Sequence, residues 1–319
     1  MLRNTSAVLI GLSVGAMVLL SGCGPSANLS LQFNPQSSSA YEVTTEVTKD
    51  FKFEQPTMDK LREEQTKTFI QMNFTQTVDA VDDKGIATAT VTIDALKVTM
   101  TNKNEQKLAY DSAKPEDKTN PLTPLIGQRY TVQISPEGKV VSFDSAAAQK
   151  IVTAGFEAKL AERLLSEDGI RERHEIPALW GAGKGGATVK KTWTEVVPSP
   201  PGLLAPKTYQ KTYTLTGVET RDGQQVAVVD MKATESAEPA KEQKSSAAGM
   251  GMFAKMFDSE DVYTGTLLLG LAGGDVMEYG ETLVSTYTAQ EMPENAAPDK
   301  GPDTLTMRFT NRISMKKLK

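Results

Sequence analysis

Ile70–Met100 reads IQMNFTQTVDAVDDKGIATATVTIDALKVTM, and its parity decides the fold. Ile70, Met72, Phe74, Val78 and Ala80 share one parity, while Gln71, Asn73, Thr75, Thr77 and Asp79 hold the other. Such alternation marks an antiparallel strand with one face on a core and the other in water. Asp82-Asp83-Lys84-Gly85 then turns the chain, because Gly tolerates the positive φ of a hairpin loop. Ala87, Ala89, Val91, Ile93 and Ala95 continue on odd positions, whereas Leu96, Val98 and Met100 are even. A change of parity inside one strand predicts a β-bulge near Ala95.

The same phrase returns 140 residues later. Lys67-Thr68-Phe69 corresponds to Lys207-Thr208-Tyr209, Val78 to Val218, Asp82 to Asp222 and Ala87 to Ala227. Ala89-Thr90-Val91 lines up with Val229-Asp230-Met231. A second shared element follows in each half: Tyr130–Phe143 turns at Pro136-Glu137-Gly138, and Tyr263–Tyr279 turns at Gly273-Gly274-Asp275. The order of elements recurs as well as the residues, which predicts two related meanders. Leu305, Met307, Phe309, Ile313 and Met315 alternate with polar residues in a closing strand.

Ser145 to Asp168 breaks the rhythm. Val152, Phe156, Leu160 and Leu164 recur every four residues, with Ala147, Ile151, Ala158 and Leu165 widening the stripe. This predicts one amphipathic helix, capped by Ser145 and ended by Gly169, whose stripe lies on the apolar face of the sheet. A shorter helical turn is expected between Asn120 and Ile126. Glu235–Gly249 is polar and small, and reads as a mobile loop. The fold expected is mainly β (β-rich α+β), with antiparallel meanders in two related halves, a curved half-barrel being one form of it. The units are 40–143, the helix 144–169, and 170–319.

Across 319 residues, 35 Lys and Arg against 40 Asp and Glu give a net charge of −5, which argues against a nucleic-acid-binding surface. A hydrophobic fraction of 39% allows a packed core. The single cysteine excludes an internal disulfide, and the single histidine excludes any site built on two imidazoles.

Residues 1–22 read as an export signal. Ala7–Leu20 is uncharged and apolar; in a helix its fourteen residues span about 21 Å, short of a membrane's hydrocarbon core. Leu20-Ser21-Gly22-Cys23 resembles the lipobox of bacterial lipoprotein precursors. The resemblance implies cleavage between Gly22 and Cys23 and a diacylglyceryl (palmitate-type) lipid on Cys23, leaving 319 − 22 = 297 residues. Two acyl chains suffice for stable anchoring. Residues 23–39 then form the lipidated cysteine and a polar stalk, with Leu29, Leu31 and Phe33 hinting at a strand. Gly24 occupies the place where Asp would signal inner-membrane retention. The expected location is therefore the periplasmic side of the outer membrane in a double-membraned host, and otherwise the outer face of the plasma membrane.

No pattern in the sequence names a reaction. Gly181-Ala182-Gly183-Lys184-Gly185-Gly186 lacks the spacing of a phosphate loop and the Ser or Thr that would hold Mg²⁺. His174, in the charged run Arg171–Glu175, reads as a solvated surface imidazole rather than a general base. Met250, Met252 and Met256 with Phe253 and Phe257 form a methionine-rich patch. As soft donors they fit Cu(I), but without a His or Cys beside them an apolar flap is the better account. Trp180 and Trp193 read as sugar platform or buried anchors. Catalytic residues, metal ligands and cofactors are expected to be none.

Further features resemble a family of bacterial secreted lipoproteins of unknown function. These are Leu31–Pro35, Pro121-Leu122 before Gly127, Ser135-Pro136-Glu137-Gly138-Lys139-Val140, Trp193 after a Val-Lys-Lys step, and Gly265-Thr266-Leu267 before a Gly-Gly-Asp turn. Lys191-Thr192 replaces the family's Gly-Asp-like step before the tryptophan. These motifs are turns and anchors, so the resemblance implies no catalytic residue.

Two function classes stay open: a non-catalytic binding module for a hydrophobic or amphiphilic ligand, and a structural or interaction component of the envelope. For the first, Val152, Phe156, Leu160, Leu164, Met252, Phe253 and Met256 are the ligand-facing or lid residues. The expected partners are the membrane, through the anchor, and that ligand. If the helix stripe packs directly on the strands and leaves no apolar pocket above a few hundred Å³, the carrier reading fails.

Overall fold

The computed structural model describes residues 26–153, 155–183, 186–238, 256–294 and 301–319. Gly22, Cys23, Met250, Met252, Phe253 and most of the loop at 235–249 lie outside the described residues.

A two-residue strand β1 (Ser26–Ala27) precedes β2 (Ser38–Gln55), β3 (Lys60–Val81), β4 (Ala87–Asn102), β5 (Glu105–Asp111), β6 (Arg129–Ile134) and β7 (Val140–Asp144). After the helices come β8 (Ala187–Thr188), β9 (Thr192–Pro198), β10 (Thr208–Arg221), β11 (Gln224–Glu235), β12 (Asp258–Gly270), β13 (Asp275–Glu291) and β14 (Asp303–Lys317). Twelve of these form one antiparallel sheet in the order β7-β6-β4-β3-β2-β14-β13-β12-β11-β10-β9, with β5 added against β4. β1 pairs with β8 apart from it. The fold is mainly β and antiparallel, as the alternation requires.

The two halves share this sheet, joined where β2 pairs along β14 from Tyr41 opposite Lys317 to Glu54 opposite Thr304. The series β3, β4, β6, β7 and the series β10, β11, β12, β13 advance across the sheet in the same sense. The parity change in β4 is a bulge: Asn73 faces Ala95 and Phe74 faces Ile93, so Asp94 is the extra residue and is exposed. Gly85, at φ 80, makes the hairpin turn.

The sheet is curled. Leu31 N–H donates to Pro136 O in the β6–β7 turn at 2.8 Å, and Gln32 N–H reaches Gly274 O in the β12–β13 turn at 3.4 Å. In a flat sheet those turns would stand about six strand spacings, roughly 29 Å, apart. Two consecutive residues reach both, so the two halves face each other across one core. The turns β3–β4, β6–β7, β10–β11 and β12–β13 lie at one end of the sheet with the N-terminal segment and Lys317, here termed the proximal end. The β2–β3, β9–β10, β11–β12 and β13–β14 connections lie at the distal end.

The residues after Ser26 are not a stalk. Ala27, Leu29 and Leu31 are buried in the core, so this segment is a strap across the proximal end. The helical region also departs from expectation, being α1 (Ala146–Gln149), α2 (Gly155–Leu165) and α3 (Glu167–His174). Gly155 at φ 82 and the Ser166 cap, whose Oγ accepts from Gly169 N–H, interrupt what the apolar period read as one helix. Gly169 therefore lies inside α3, and Ser145 Oγ donates to Leu165 O instead of capping. Leu160, Ala161, Leu164 and Leu165 join the strand core, but Phe156 is 51% exposed. Among the described residues no helix is long and apolar enough to cross a membrane.

Candidate functional site

Inward positions of the second half carry more polar atoms than a core usually holds. β10 presents Tyr209, Lys211, Tyr213 and Leu215, while β13 presents Tyr279, Glu281, Leu283, Ser285 and Tyr287, all buried. Lys211 Nζ donates to Glu281 Oε2 at 2.5 Å, the Tyr263 hydroxyl donates to the same oxygen at 2.7 Å, and Tyr279 donates to Oε1 at 2.5 Å. Burial pushes the Glu281 carboxyl up, but the Lys211 ammonium and the two tyrosines more than offset this and hold it below the ordinary value. Burial and the same carboxylate push the Tyr263 and Tyr279 phenols well above theirs.

Gly265 makes room for this cluster. It sits directly opposite Glu281, and a Cβ there would lie 2.8 Å from Gly280 O and 3.0 Å from Glu281 Cγ. Trp193 stacks on Tyr213 with ring centroids 5.9 Å apart, so Trp193 is a buried anchor and not a sugar platform. Trp193 Nε1 and the Tyr213 hydroxyl meet no hydrogen-bond partner among the described residues.

Nearer the distal end, Lys207 Nζ donates to Asp261 Oδ2 at 2.7 Å, and the Tyr209 hydroxyl donates to the same oxygen at 2.8 Å. Beside this polar wall, the distal inward parity of β2 and β14 carries large apolar side chains interrupted by Lys49, and the Arg62 guanidinium stands 5.7 Å from the Phe51 ring centroid. Phe51, Phe53, Leu305, Met307 and Phe309 are half-buried, unlike Tyr41, Val43 and Met315 at the proximal end of the same strands. Lys49 Nζ lies 5.2 Å from the Phe309 ring centroid, and the loop between β9 and β10 comes over it at Gly202.

A second polar cluster seals the proximal end, and it corrects the reading of His174. The imidazole is only 3% exposed, its edge against Phe74 and its Nε2 2.7 Å from the Tyr130 hydroxyl. Arg173 Nη1 donates to that hydroxyl at 2.8 Å, and its Nη2 donates to Leu164 O at 2.6 Å. Burial, then the neighbouring guanidinium, pulls the His174 pKa well below 6.5, so the ring is neutral at pH 7. The helix end points its cation inward, where the sequence reading had placed a solvated imidazole.

The expected lid residues separate. Leu160, Leu164 and Val152 are buried, Val152 in the link between α1 and α2 and not in a helix. Phe156 and Met256 are exposed. Met252 and Phe253 lie outside the described residues. The cavity beside His174, lined by Leu31, Tyr41, Ile176 and Met315 among others, measures about 50 Å³, room for a water or two and not for an acyl chain. A hollow of about 400 Å³ at Thr264, Thr266, Glu278 and Thr282 lies on the outward parity of β12 and β13. Among the described residues, no group of three or more His, Cys, Asp or Glu stands together as a metal site.

Residues 84–159 match the model of a family of unknown function, DUF6263. The match is to one stretch, about a quarter of the chain. It runs from the β3–β4 turn into α2 and leaves the Lys211–Glu281 cluster outside. No curated protein matches. Among solved structures, lipovitellin, from work on its lipid–protein interactions, is 11% identical, covering 90% of this chain and 26% of its own, at a TM-score of 0.42. This chain thus spans about a quarter of lipovitellin's length. DynF of the dynemicin pathway of Micromonospora chersina is 8% identical, covering 98% and 95%, at 0.17. A DUF1329 family protein of Desulfovibrio piger is 10% identical, covering 85% and 84%, at 0.13. Likeness at these scores carries no argument about function.

Proposed function

We propose that this chain is a non-catalytic binding module of the bacterial cell envelope, anchored through a lipid on Cys23, that takes an amphiphilic ligand on the distal half of its inner face. In a double-membraned host its place is the periplasmic side of the outer membrane. One observation carries the reading. The half-buried apolar wall of Phe51, Phe53, Leu305, Met307 and Phe309 adjoins the polar wall of Lys207, Tyr209, Asp261 and Tyr287. An amphiphile matches both walls, its chain against the first and its head group against the second.

Extraction of anchor-free Cys23→Ala protein, followed by mass spectrometry, tests it. The expected result is a copurifying amphiphile that is lost in Phe51→Asp/Phe309→Asp protein. Ligand-free protein that also fails to take up a fluorescent fatty acid would sink it. A structural role is the second reading, favoured by the proximal half: Leu160, Ala161, Leu164 and Leu165 of α2 belong to the common core, and the cavity there holds only about 50 Å³, so the ligand site that the sequence placed beneath the helix is not there.

A further inference from the structure

The strap and the position of Cys23 just before it bear on the orientation of the sheet. Ser26 and Ala27 pair with Thr188 and Ala187, Leu31 is bonded to the β6–β7 turn, and Gln32 reaches the β12–β13 turn. Three peptide units separate Cys23 from Ser26, a reach of at most about 11 Å. A lipid on Cys23 therefore leaves the proximal end no room to rise on a flexible leash. The sheet runs far beyond that reach: the 18 residues of β2 extend about 60 Å at 3.3 Å per residue.

Of the eight large apolar residues exposed among the described residues, five are at the other end, while Val141 follows the proximal β6–β7 turn and Ile151 and Phe156 lie in the helical region. Met58 lies in the β2–β3 turn, Leu61 at the start of β3, Met256 just before β12, Val262 early in β12 and Met292 just after β13, each about half exposed or more. Leu61 and Val262 are on the outward parity of their strands, which leaves Met58, Met256 and Met292 in the connections at the open end of the wall formed by Phe51, Phe53, Leu305 and Met307. The proximal turns instead carry charges of both signs, among them Asp82, Asp83, Lys84, Glu137, Lys139, Asp222 and Asp275.

We propose that the proximal end is a membrane-facing surface, seated against the head groups of the anchoring bilayer, and that the apolar distal rim is held tens of ångströms from that bilayer as the ligand's mouth. The inference rests on the lipidation of Cys23 proposed above and adds to it which surface the bilayer covers. It also assigns ligand exchange to the aqueous side, away from the membrane that holds the protein.

Lipidation supplies the means of testing this. With Cys23 converted to a thioether, an introduced cysteine is the chain's sole free thiol. Lipidated Asp83→Cys (proximal turn) and Lys60→Cys (distal turn) proteins, each carrying one donor dye, are reconstituted into phosphatidylethanolamine–phosphatidylglycerol vesicles containing acceptor-labelled lipid. Energy transfer is expected to be several-fold stronger from position 83 than from position 60. Equal transfer, as from a protein lying flat or tumbling, overturns the orientation, and so does the reverse order. Protein that fails to float with the vesicles refutes the anchor itself, which separates the two failures.

Discussion

Lys211 and Glu281, 70 residues apart and on strands β10 and β13, meet at 2.5 Å with both side chains at most 7% exposed. Two other strands separate theirs in the sheet, so the pair spans the curl and is not a ladder contact. Taking two charges out of water costs several kcal/mol per ion, and the attraction repays this only when the remaining hydrogen bonds are made. Here Tyr263 and Tyr279 make them.

Removal of one partner is therefore more damaging than removal of both charges. Glu281→Gln leaves the Lys211 ammonium buried and unpaired, at an expected cost of about 3–5 kcal/mol. Lys211→Met/Glu281→Gln keeps an acceptor for the tyrosines without a stranded charge, and is expected to recover much of that loss. Urea unfolding midpoints at pH 7 measure both. With Lys211→Met as the other single variant, losses that simply add in the double variant would show that the pair is not coupled.

Acid should act on the same cluster. The Glu281 carboxyl titrates below its ordinary value of 4.5 in the folded chain, so the unfolded chain binds the proton first as pH falls. Its contribution is complete above pH 4.5 and disappears as pH drops through the folded value. Glu281→Gln protein should lack this part of the acid transition in circular-dichroism titrations.

His174 predicts a separate window. Its folded pKa lies well below 6.5, so between that value and 6.5 the unfolded chain binds more protons. Stability should be flat above pH 7 and fall below 6.5, with a limiting slope of about 1.4 kcal/mol per pH unit. The groups facing the ring set this: Arg173 and Tyr130 from α3 and β6, with Tyr41 and Asp275 across the small cavity. The comparison that decides is thus wild type against His174→Gln, whose melting temperature should fall less between pH 7 and 5.5. Equal slopes would remove the assignment to this imidazole.

Period-two patterning made the sheet legible: strand parity, the bulge at Asp94, the turns at Gly85 and Gly138, and the closing strand β14 were all present in local sequence. The polar clusters were not, because nothing near Lys211 in sequence points to Glu281. One signal did exist. Both residues fall on the inward parity of their strands, between Tyr209 and Tyr213 and between Tyr279 and Leu283. A charge on a core parity announces a partner without naming it. His174 was hidden differently, since a run of charged residues reads as solvent-facing until α3 turns Arg173 and His174 inward while Arg171 pairs with Glu167 and Glu175. Four-residue spacing persists through the breaks at Gly155 and Ser166, so the sequence pattern shows one helix where the chain forms three.

Leu160 belongs to the common core and Phe156 does not, although the two share the same apolar spacing. Leu160→Ala should cost about 2–5 kcal/mol, and Phe156→Ala no more than about 0.5. Comparable losses in denaturant titrations would restore the continuous stripe.

The strap gives the last prediction, and two glycines keep it interpretable. Gly274, at φ 63, lies under the strap so closely that a Cβ there would sit 2.5 Å from Gln32 N and 2.7 Å from Gln32 Cβ. Gln32 N is backbone, so no rotamer change relieves the clash, and Gly274→Ala must lift the strap or shift the β12–β13 turn. Gly127, at φ 81, has nothing among the described residues within 4 Å of the same position. Gly127→Ala therefore carries the left-handed backbone strain alone, about 1–2 kcal/mol. Both variants should lose stability, but only Gly274→Ala should speed amide exchange at Leu31 and expose residues 26–34 to protease. If the two variants exchange alike there, the strap is not fastened at Gly274.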